Sequence, residues 1–435
     1  MQNYEFFLQC LHWPDDKICK IMILLQLQLD NMTITTLPVS KSILIRKLLI
    51  HYLYFDEIME IPADAPRDVR LVHENLGRIR QAKASASTST CPTLIDVQDC
   101  GAAYRFFLPL LCLSSGNWLL TGTERLLMRP VAPLVQTLQA AGASIERTEK
   151  GWLVKGRHLE TETLSLEASL SSQFVSALLL VAPLIRLKTL ALTLVPQTSK
   201  HYIDLTIRML QHYGIEIRET KVGYEVQQTQ FRKSDFVLEN DWSAAAYWYA
   251  VAALTDEEFF LPMLFADSLQ PDVAIVRFAK KFWNVESRFT PDGVRIHSLG
   301  KTFGKQPAVW ECSNTPDLIP IVAVMSVLTK TEYQIEGCES LNRKESKRLD
   351  ALCKALSDFV PVEVSENQHL LKVHGANALS SSPLGKEEQR LCFDACGDHR
   401  LVMAYSLFGL FQLVEIRDFE SVKKSYPLFK PFYNF

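Results

Sequence analysis

The sequence predicts an α/β protein of the α+β type, built from repeated units that mix helices with strands. Its length of 435 residues exceeds what one hydrophobic core usually organises, so two domains or one large composite are expected. A pattern of helix, strand, turn and strand recurs at a spacing of about 70 residues, which indicates internal duplication. Because each repeat combines both element types, we expect compact domains in which helices cover sheets.

Composition and charge restrict the class of protein further. Hydrophobic residues make up 48% of the chain and charged residues 22%, which is typical of a globular protein. The formal net charge of −3 gives no general reason to expect nucleic acid or a membrane as a partner, so an anionic ligand would need a local positive field. The apolar run from Ile21 to Leu25 is too short for a membrane span and lacks a signal-peptide leader. The ten cysteines lack zinc-ligand spacing and are expected to be reduced thiols in a cytosol.

The repeat itself is a helix followed by two strands joined by a tight turn. The turns of the first three hairpins contain a glycine each: Gly151, Gly223 and Gly293. The four copies, given as helix, strand and strand, are 131–142, 143–147 and 152–155; 202–214, 215–218 and 224–226; 272–284, 285–289 and 294–297; and a looser 347–359, 360–364 and 370–373.

The elements before the first repeat are a strand and two helices with polar starts. Residues 33–37 are predicted to form a short strand, and a helix follows from about Ile43 with cationic and hydroxyl groups at its start. The low-complexity stretch 83–92 is predicted to be a loop. A strand over 93–97 then turns at Gly101 into a helix over 102–113, and Arg105 lies one turn into that helix. Taken alone, these residues favour the plainer interpretation, a turn glycine beside an incidental arginine.

Polar and basic side chains recur at the starts of later helices. Each group alone is typical of a helix N-cap, but together they indicate a site for multiply charged oxyanions. These groups lie at 169–173, 199–202, 240–243, 397–400 and 423–427.

The segment from Asn314 to Arg348 is the strongest candidate for catalytic chemistry. Asp317 precedes an apolar run that predicts a buried helix, and Glu345 lies inside a cluster of basic residues. A carboxylate among fixed cations stays ionised and can move a proton beside an anionic substrate. A helix cap followed by a solvated charge run is the alternative interpretation.

Taken in order, ten short stretches resemble the motifs of the 5-enolpyruvylshikimate-3-phosphate synthase family. They stand in this chain as PVSKSILIR, DCGAAYR, LTGTERLLMRP, SSQFVSALLL, SKHYIDLT, ENDWSAAAY, NTPDLIP, RKESKR, GDHRLVMA and KKSYPLF. The resemblance runs from about Met32 to the C-terminus. It implies the two-domain enolpyruvyl transferase fold, with three βαβαββ units in each domain and the active site in the interdomain cleft.

The resemblance also implies domain bounds. The N-terminal domain is expected over 41–240, and the C-terminal domain over 32–40 plus 241–435, with the first strand joining the latter. Residues 1–31 carry no repeat or motif, so we interpret them as an extension upstream of a natural start at Met32. The alternative is an extension whose apolar residues, including Phe6, Phe7 and Trp13, pack onto the C-terminal domain.

The activity implied by the resemblance is transfer of the enolpyruvyl group of phosphoenolpyruvate to the 5-hydroxyl of shikimate 3-phosphate. Phosphate is released, and the product leads to chorismate and the aromatic amino acids. The resemblance implies no metal and no cofactor, no nucleic-acid or membrane partner, and a cytoplasmic monomer.

Site residues follow from the matching motifs. The shikimate 3-phosphate ligands implied are Lys41, Ser42, Arg46, Ser171, Ser172, Gln173, Ser199, Asp317 and Lys344. Those implied for phosphoenolpyruvate are Lys41, Gly101, Arg125, Gln173, Arg348, Arg400 and Lys424. In the same resemblance Asp317 takes the 5-hydroxyl proton, while Glu345 and Lys41 handle protons at the enol carbon and the leaving phosphate.

Several positions depart from the family pattern and keep alternatives open. Val39, Leu44, Ala102 and Lys347 replace the residues usual there, and the short stretch between Arg46 and Asp96 predicts an abbreviated module. One alternative is a catalytically weak paralogue that binds the same ligands. The other is a UDP-N-acetylglucosamine enolpyruvyl transferase, although the loop cysteine expected of that family is missing from 121–130.

Overall fold

The structure is a computed structural model that describes residues 33–84, 91–168, 171–194, 200–227, 230–301, 303, 308–375 and 390–432. The predictions for residues 1–31, for the centre of the loop at 83–92 and for Ser199 fall outside these residues. The described chain divides into two compact units. The N-terminal unit comprises 41–61 and 67–237, and the C-terminal unit comprises 33–40, 62–66 and the chain from Leu238 onward.

The N-terminal unit contains two four-stranded sheets and seven α-helices within its described residues. Its helices are α1 (Lys41–Phe55), α2 (Arg67–Ala84), α3 (Gly101–Leu113), α4 (Glu124–Leu127), α5 (Ala132–Ala140), α6 (Ser172–Val181) and α7 (Lys200–His212). Its strands are β2 (Thr93–Asp96), β3 (Gly116–Thr121), β4 (Ser144–Thr148), β5 (Gly151–Gly156), β6 (Thr163–Glu167), β7 (Thr189–Leu194), β8 (Ile217–Thr220) and β9 (Gly223–Val226).

The C-terminal unit begins with a strand that lies far from the rest of it in sequence. That strand, β1 (Thr33–Ile34), pairs in parallel with β10 (Phe259–Pro262), as the resemblance implied. The unit's helices are α8 (Trp242–Thr255), α9 (Ile275–Phe278), α10 (Ile319–Leu328), α11 (Arg348–Leu356) and α12 (His399–Ser406). The remaining strands are β11 (Val285–Thr290), β12 (Gly293–Ser298), β13 (Ala308–Glu311), β14 (Tyr333–Glu336), β15 (Val362–Val364), β16 (Leu370–Val373), β17 (Leu391–Asp394) and β18 (Val414–Arg417).

Four of the sheets share one topology, which confirms the predicted repeat. In each, a first strand pairs in parallel with a second, and an antiparallel hairpin then completes the sheet. The strand orders are β2-β3-β5-β4, β6-β7-β9-β8, β1-β10-β12-β11 and β13-β14-β16-β15. In three of these sheets one α-helix connects the parallel pair, as a parallel crossover requires, whereas the chain between β1 and β10 includes the whole N-terminal unit.

The third copy of the repeat differs from its prediction. A continuous helix was expected over 272–284, but the chain forms a 3₁₀ turn (Pro271–Ala274), then α9, then a π-helical turn (Ala279–Trp283). The wider π turn brings Phe278, Phe282 and Trp283 against Trp310, with ring centroids between 4.6 and 5.4 Å apart. Packing of these aromatic rings therefore overrides the regular helical period.

The stretch before the first sheet is the abbreviated module. Between Lys41 and Cys91 the described residues form α1 and α2 and no strand. Helix α1 was predicted from the sequence and α2 was not; α2 starts after Pro66 and has Asp68 in its first turn. At the other end of the chain, β17 and β18 form only a two-stranded parallel sheet around α12.

Helices that are buried on nearly all sides form the centre of each unit. In the C-terminal unit α8, α10 and α12 are almost wholly buried, and in the N-terminal unit α3 and α6 are. Such helices leave only their ends for polar chemistry, and the candidate residues lie there. No helix in the described part of the chain has both the length and the apolarity needed to cross a bilayer.

The hairpin glycines give a direct test of the repeat. Gly223 has φ of 147°, and a Cβ atom there would clash with the Leu190 carbonyl of the central strand. We expect Gly223→Ala to lower the free energy of unfolding by about 1 to 3 kcal/mol, measured by urea denaturation. The matched control is Gly77→Ala inside α2, where a Cβ meets nothing within 4 Å. That control should gain about 0.5 to 1 kcal/mol, and equal effects of the two variants would contradict the argument.

Candidate active site

Arg348 is the centre of the polar cluster in the C-terminal unit. It is the first residue of α11, and its side chain is only 1% exposed. Its Nε and Nη2 donate to the two carboxylate oxygens of Asp398 at 2.8 and 3.2 Å. Its Nη1 donates to Asp317 at 2.9 Å, and Nη2 also donates to Glu345 at 3.0 Å. One guanidinium therefore fixes three carboxylates that lie far apart in sequence.

Asp317 lies between three cations. It stands in a 3₁₀ turn (Pro316–Leu318) that leads directly into α10, as the sequence predicted. Arg400 Nη2 donates to its second oxygen at 3.3 Å, and Lys344 Nζ lies 3.9 Å from its first. Burial alone would raise the pKa of Asp317, but Arg400, Lys344 and Arg348 together hold it well below its usual range. The carboxylate is therefore ionised at neutral pH, and its side chain is 22% exposed.

Asp398 holds the arginines in place. It is fully buried and caps α12, accepting the backbone N–H of Arg400 at 3.0 Å. Ser346 Oγ also donates to it at 3.0 Å. Because its oxygens are occupied by these groups and by Arg348, Asp398 is a positioning residue. From the sequence, Asp398 was predicted only as part of the helix-start group at 397–400, with no role of its own.

The side chain of Arg400 has hydrogen-bond donors that no acceptor in the described residues satisfies. Within the described chain, its Nε and Nη1 are buried and have no hydrogen-bond partner, while Nη2 binds Asp317. A further cation of this unit, Lys424, has its Nζ 4.0 Å from Glu345 Oε1. A buried guanidinium with unmet donors is costly in a folded protein, and an oxyanion ligand would satisfy it.

Asp272 is a buried carboxyl that the sequence analysis did not single out. It accepts a hydrogen bond from Ser243 Oγ at 2.7 Å and is 2% exposed. Burial and the nearby charge of Asp317 raise its pKa to about 7, and the charge of Arg400 opposes that rise. Only the folded chain could reveal this group, because Ser243, Asp272 and Asp317 come from separate elements.

The raised pKa of Asp272 predicts a pH-dependent contribution to stability. Between about pH 4 and 7 the folded chain keeps a proton that the unfolded chain has released, so stability falls as pH rises. We expect Asp272→Asn to gain stability relative to wild type over that window, by at most about 1.4 kcal/mol per pH unit, and to level off above it. Urea denaturation from pH 4 to 8 measures this difference, with exposed Asp358→Asn as control. A difference between wild type and Asp272→Asn that does not change with pH would contradict the prediction.

The start of α1 carries the first group of the N-terminal unit. Lys41 Nζ lies 3.1 Å from Asp68 and remains partly exposed. Arg46 is buried, donating to Thr206 Oγ1 at 2.7 Å and to the carbonyls of Ser42 and Tyr202. Burial lowers the pKa of Arg46 to about 10. Arg46 therefore ties α1 to α7 and orients the start of α1.

The start of α6 carries the second group of that unit. Ser171 caps the helix by accepting the backbone N–H of Gln173 at 3.2 Å, and Ser172 is buried beside it. Gln173 Oε1 accepts from Arg105 Nη1 at 3.0 Å, and the same nitrogen donates to the Gly101 carbonyl at 2.9 Å. Arg105 thus joins Gly101 to Gln173, although the sequence left it as an incidental arginine.

The remaining positions are two predicted ligands and three of the departures from the family pattern. Arg125 lies exposed in α4, and the arginine of that segment that reaches Gly101 is Arg129. Ser199 lies outside the described residues. Leu44 is wholly buried in α1, and Val39 is buried where it bridges to Asn240, so both act in packing. Lys347 is exposed, which leaves its charge in solvent.

The fold and the charged helix starts define the class of protein. Among solved structures, the EPSP synthase from Acinetobacter baumannii shares the fold with a TM-score of 0.65 at 18% identity, covering 91% of this chain and 93% of that one. The enolpyruvyl transferase NikO from Streptomyces tendae matches with a TM-score of 0.61 at 14% identity, covering 91% and 92%. The chain therefore has the two-domain enolpyruvyl transferase fold.

Sequence comparison identifies the family within that class. The family profile of EPSP synthase (3-phosphoshikimate 1-carboxyvinyltransferase) matches residues 67–432. A 3-phosphoshikimate 1-carboxyvinyltransferase from Bacteroides fragilis is 29% identical over 403 residues, covering 90% of this chain and 92% of its own. One from Methanopyrus kandleri is 32% identical over 348 residues, covering 77% and 76%. The chain belongs to the EPSP synthase family, which confirms the resemblance found from its motifs.

Proposed function

We infer that this protein transfers the enolpyruvyl group of phosphoenolpyruvate to the 5-hydroxyl of shikimate 3-phosphate and releases phosphate. The single observation that carries this inference is Asp317, held ionised by Arg348, Arg400 and Lys344 at the start of a buried helix. An ionised carboxylate within a cluster of cations can accept a hydroxyl proton while the cations hold the anionic reactants.

The proposed chemistry has two stages. In the first, Asp317 removes the proton of the 5-hydroxyl, the oxygen bonds to C2 of phosphoenolpyruvate, and the methylene carbon gains a proton. In the second, the methyl carbon loses a proton, the C2–O bond to phosphate breaks, and the double bond returns. Glu345 and Lys41 are proposed to handle protons at that carbon and at the leaving phosphate, and the Glu345 carboxylate would stabilise positive charge developing at C2.

Each substrate has its own set of proposed ligands. The shikimate 3-phosphate ligands are Lys41, Ser42, Arg46, Ser171, Ser172, Gln173, Ser199, Asp317 and Lys344. Those of phosphoenolpyruvate are Lys41, Gly101, Arg125, Gln173, Arg348, Arg400 and Lys424. The unmet donors of Arg400 support its role in particular, while Arg348 contributes mainly by organising Asp317, Glu345 and Asp398.

One assay tests the function and its alternatives together. Phosphate release from phosphoenolpyruvate should require shikimate 3-phosphate, and UDP-N-acetylglucosamine should not replace it. Calorimetric titration with shikimate 3-phosphate should show binding. Binding without phosphate release would favour the catalytically weak paralogue, and release only with the UDP sugar would favour the sister enzyme.

We further propose that the protein acts as a cytoplasmic monomer in the pathway to chorismate. The cysteines are scattered along the sequence, and those in the described residues are free thiols, which supports a reducing compartment. Sedimentation velocity across a range of protein concentrations tests the monomer, and cell fractionation tests the compartment. A concentration-dependent dimer, or recovery with membranes or the exported fraction, would contradict these statements.

A further inference from the structure

Gln270 is a buried glutamine of the C-terminal unit whose side-chain amide makes four hydrogen bonds. Its Oε1 accepts from Ser40 Oγ at 2.9 Å and from the backbone N–H of Trp242 at 3.1 Å. Its Nε2 donates to the Glu239 carboxylate at 3.0 Å and to the Asn240 carbonyl at 2.7 Å. One side chain therefore joins the residue before α1 to the residues that lead into α8.

The partners of this amide require a glutamine in one orientation. A flipped amide would place its nitrogen against the Trp242 N–H and its oxygen against the Asn240 carbonyl, and both pairs would repel. Glutamate would lack the two donors, and leucine would lack donors and acceptors alike. The residue at position 270 is thus specified by its hydrogen bonds rather than by its volume.

The bonds of Gln270 fasten a place where two distant stretches of chain lie side by side. The backbone N–H of Ser40 donates to the Glu239 carbonyl at 2.8 Å, and the N–H of Asp241 donates to the Pro38 carbonyl at 2.9 Å. Residues 38–40 and 239–241 therefore pair over a very short length, and Gln270 adds a side-chain connection from a third segment.

The first of these stretches leads directly into the candidate site. Ser40 is wholly buried, and the next residue, Lys41, begins α1. Lysine has a long flexible side chain, so its ammonium is placed accurately only where the backbone that carries it is fixed. A buried hydroxyl that lost its acceptor would be costly, which keeps Ser40 attached to Gln270.

We propose that Gln270 is a positioning residue for the reaction, which fixes Lys41 through the hydrogen bond to Ser40. The proposal rests on the proposed function for the role of Lys41 at the substrates. Gln270 itself touches neither substrate in this proposal. Its loss is therefore expected to act on catalysis and on ligand affinity only through the residues that it holds.

Two variants weaken the connection to different degrees. Ser40→Ala removes one hydrogen bond and leaves Gln270 with its other three partners, so this variant is expected to fold. We expect kcat/KM for shikimate 3-phosphate to fall about 10-fold in Ser40→Ala and about 100-fold in Gln270→Leu, the scale of a displacement of about 1 Å at a reacting group. A value for Ser40→Ala within about twofold of wild type would overturn the proposal.

An exchange of donor and acceptor tests whether the hydrogen bonds themselves matter. Gln270→Glu places a second carboxylate against that of Glu239 and should lose activity. Adding Glu239→Gln restores a donor opposite the new carboxylate, which can still accept from Ser40 and Trp242. The double variant should recover most of the lost kcat/KM, and a double variant no more active than Gln270→Glu would contradict the assignment.

A double-mutant cycle with Lys41→Met separates positioning from folding. Once the ammonium is gone, a bond that acts by placing it has little left to contribute. Titration calorimetry should therefore show that Ser40→Ala weakens shikimate 3-phosphate binding in the wild-type chain and has much less effect in Lys41→Met. Equal fold-changes in the two backgrounds would show that Ser40 does not act through Lys41, and so overturn the proposal.

The matched control is Ser326→Ala, another wholly buried serine of the same unit. Ser326 Oγ donates to the carbonyls of Thr331 at 2.6 Å and Val373 at 3.1 Å, so its loss also removes buried hydrogen bonds. Its kcat/KM and its affinity for shikimate 3-phosphate should stay unchanged once urea denaturation shows the chain to be folded. Losses equal to those of Ser40→Ala would assign that effect to general destabilisation and overturn the proposal.

The calorimetry also distinguishes this inference from the proposed function. A wild-type chain that binds shikimate 3-phosphate without releasing phosphate would refute the proposed reaction, and the Ser40→Ala and Lys41→Met titrations would still decide the role of Gln270. A wild-type chain that neither turns over nor binds shikimate 3-phosphate would overturn both.

Discussion

Asp317→Ala is expected to lower kcat by about two to four orders of magnitude, with only a modest loss of affinity for shikimate 3-phosphate. Asp317 is the carboxylate proposed to accept the 5-hydroxyl proton, and three cations keep it ionised at neutral pH. Alanine removes the proton acceptor but leaves the other proposed ligands of the substrate in place. Steady-state phosphate release, with both substrates varied, measures the two parameters separately.

The controls separate the role of Asp317 as a base from its role as a counter-ion. Asp317→Asn keeps the shape and most hydrogen-bonding capacity but cannot take the proton, so its kcat should be about as low as that of the alanine variant. Asp350→Asn, an exposed change in α11, should retain full activity. Activity of Asp317→Ala within about tenfold of wild type would remove Asp317 from the catalytic step.

Arg348→Met is expected to destabilise the protein by about 3 to 5 kcal/mol. Within the described residues, Arg348 is the side chain that binds both oxygens of Asp398, and Asp398 is wholly buried. A buried carboxylate that loses its cation keeps its desolvation cost without compensation. Urea denaturation measures the loss, and phosphate release should fall as well, because Asp317 and Glu345 lose the group that aligns them.

Lys347→Met is the matched control for this prediction. It removes a positive charge from the adjacent residue, but Lys347 is exposed, so the free energy of unfolding should change by no more than about 0.5 kcal/mol. The double variant Arg348→Met/Asp398→Asn should be less destabilised than the sum of the two single variants, since the unpaired charge is gone. A loss below about 1 kcal/mol in Arg348→Met would show that Asp398 does not depend on this pair.

The sequence by itself determined the repeated architecture, the family and several members of the candidate site. These depend on local patterns: apolar residues at helical spacing before each hairpin, glycine at Gly151 and Gly223, and short motifs around Asp317 and Arg400. Such patterns can be recognised in the sequence alone, because a helix or a hairpin is formed by residues close together in the chain.

The tertiary structure decided how the charged groups are partnered. Arg348 was predicted to bind phosphoenolpyruvate, and in the structure its three nitrogens donate to Asp317, Glu345 and Asp398. Arg400, by contrast, has two buried nitrogens without a hydrogen-bond partner among the described residues. The buried Asp272 likewise emerged only from the folded chain. Spacing along the sequence cannot reveal these facts, because contacts between residues 50 or more positions apart are set by the packing of separate helices, and burial then determines which charges must pair.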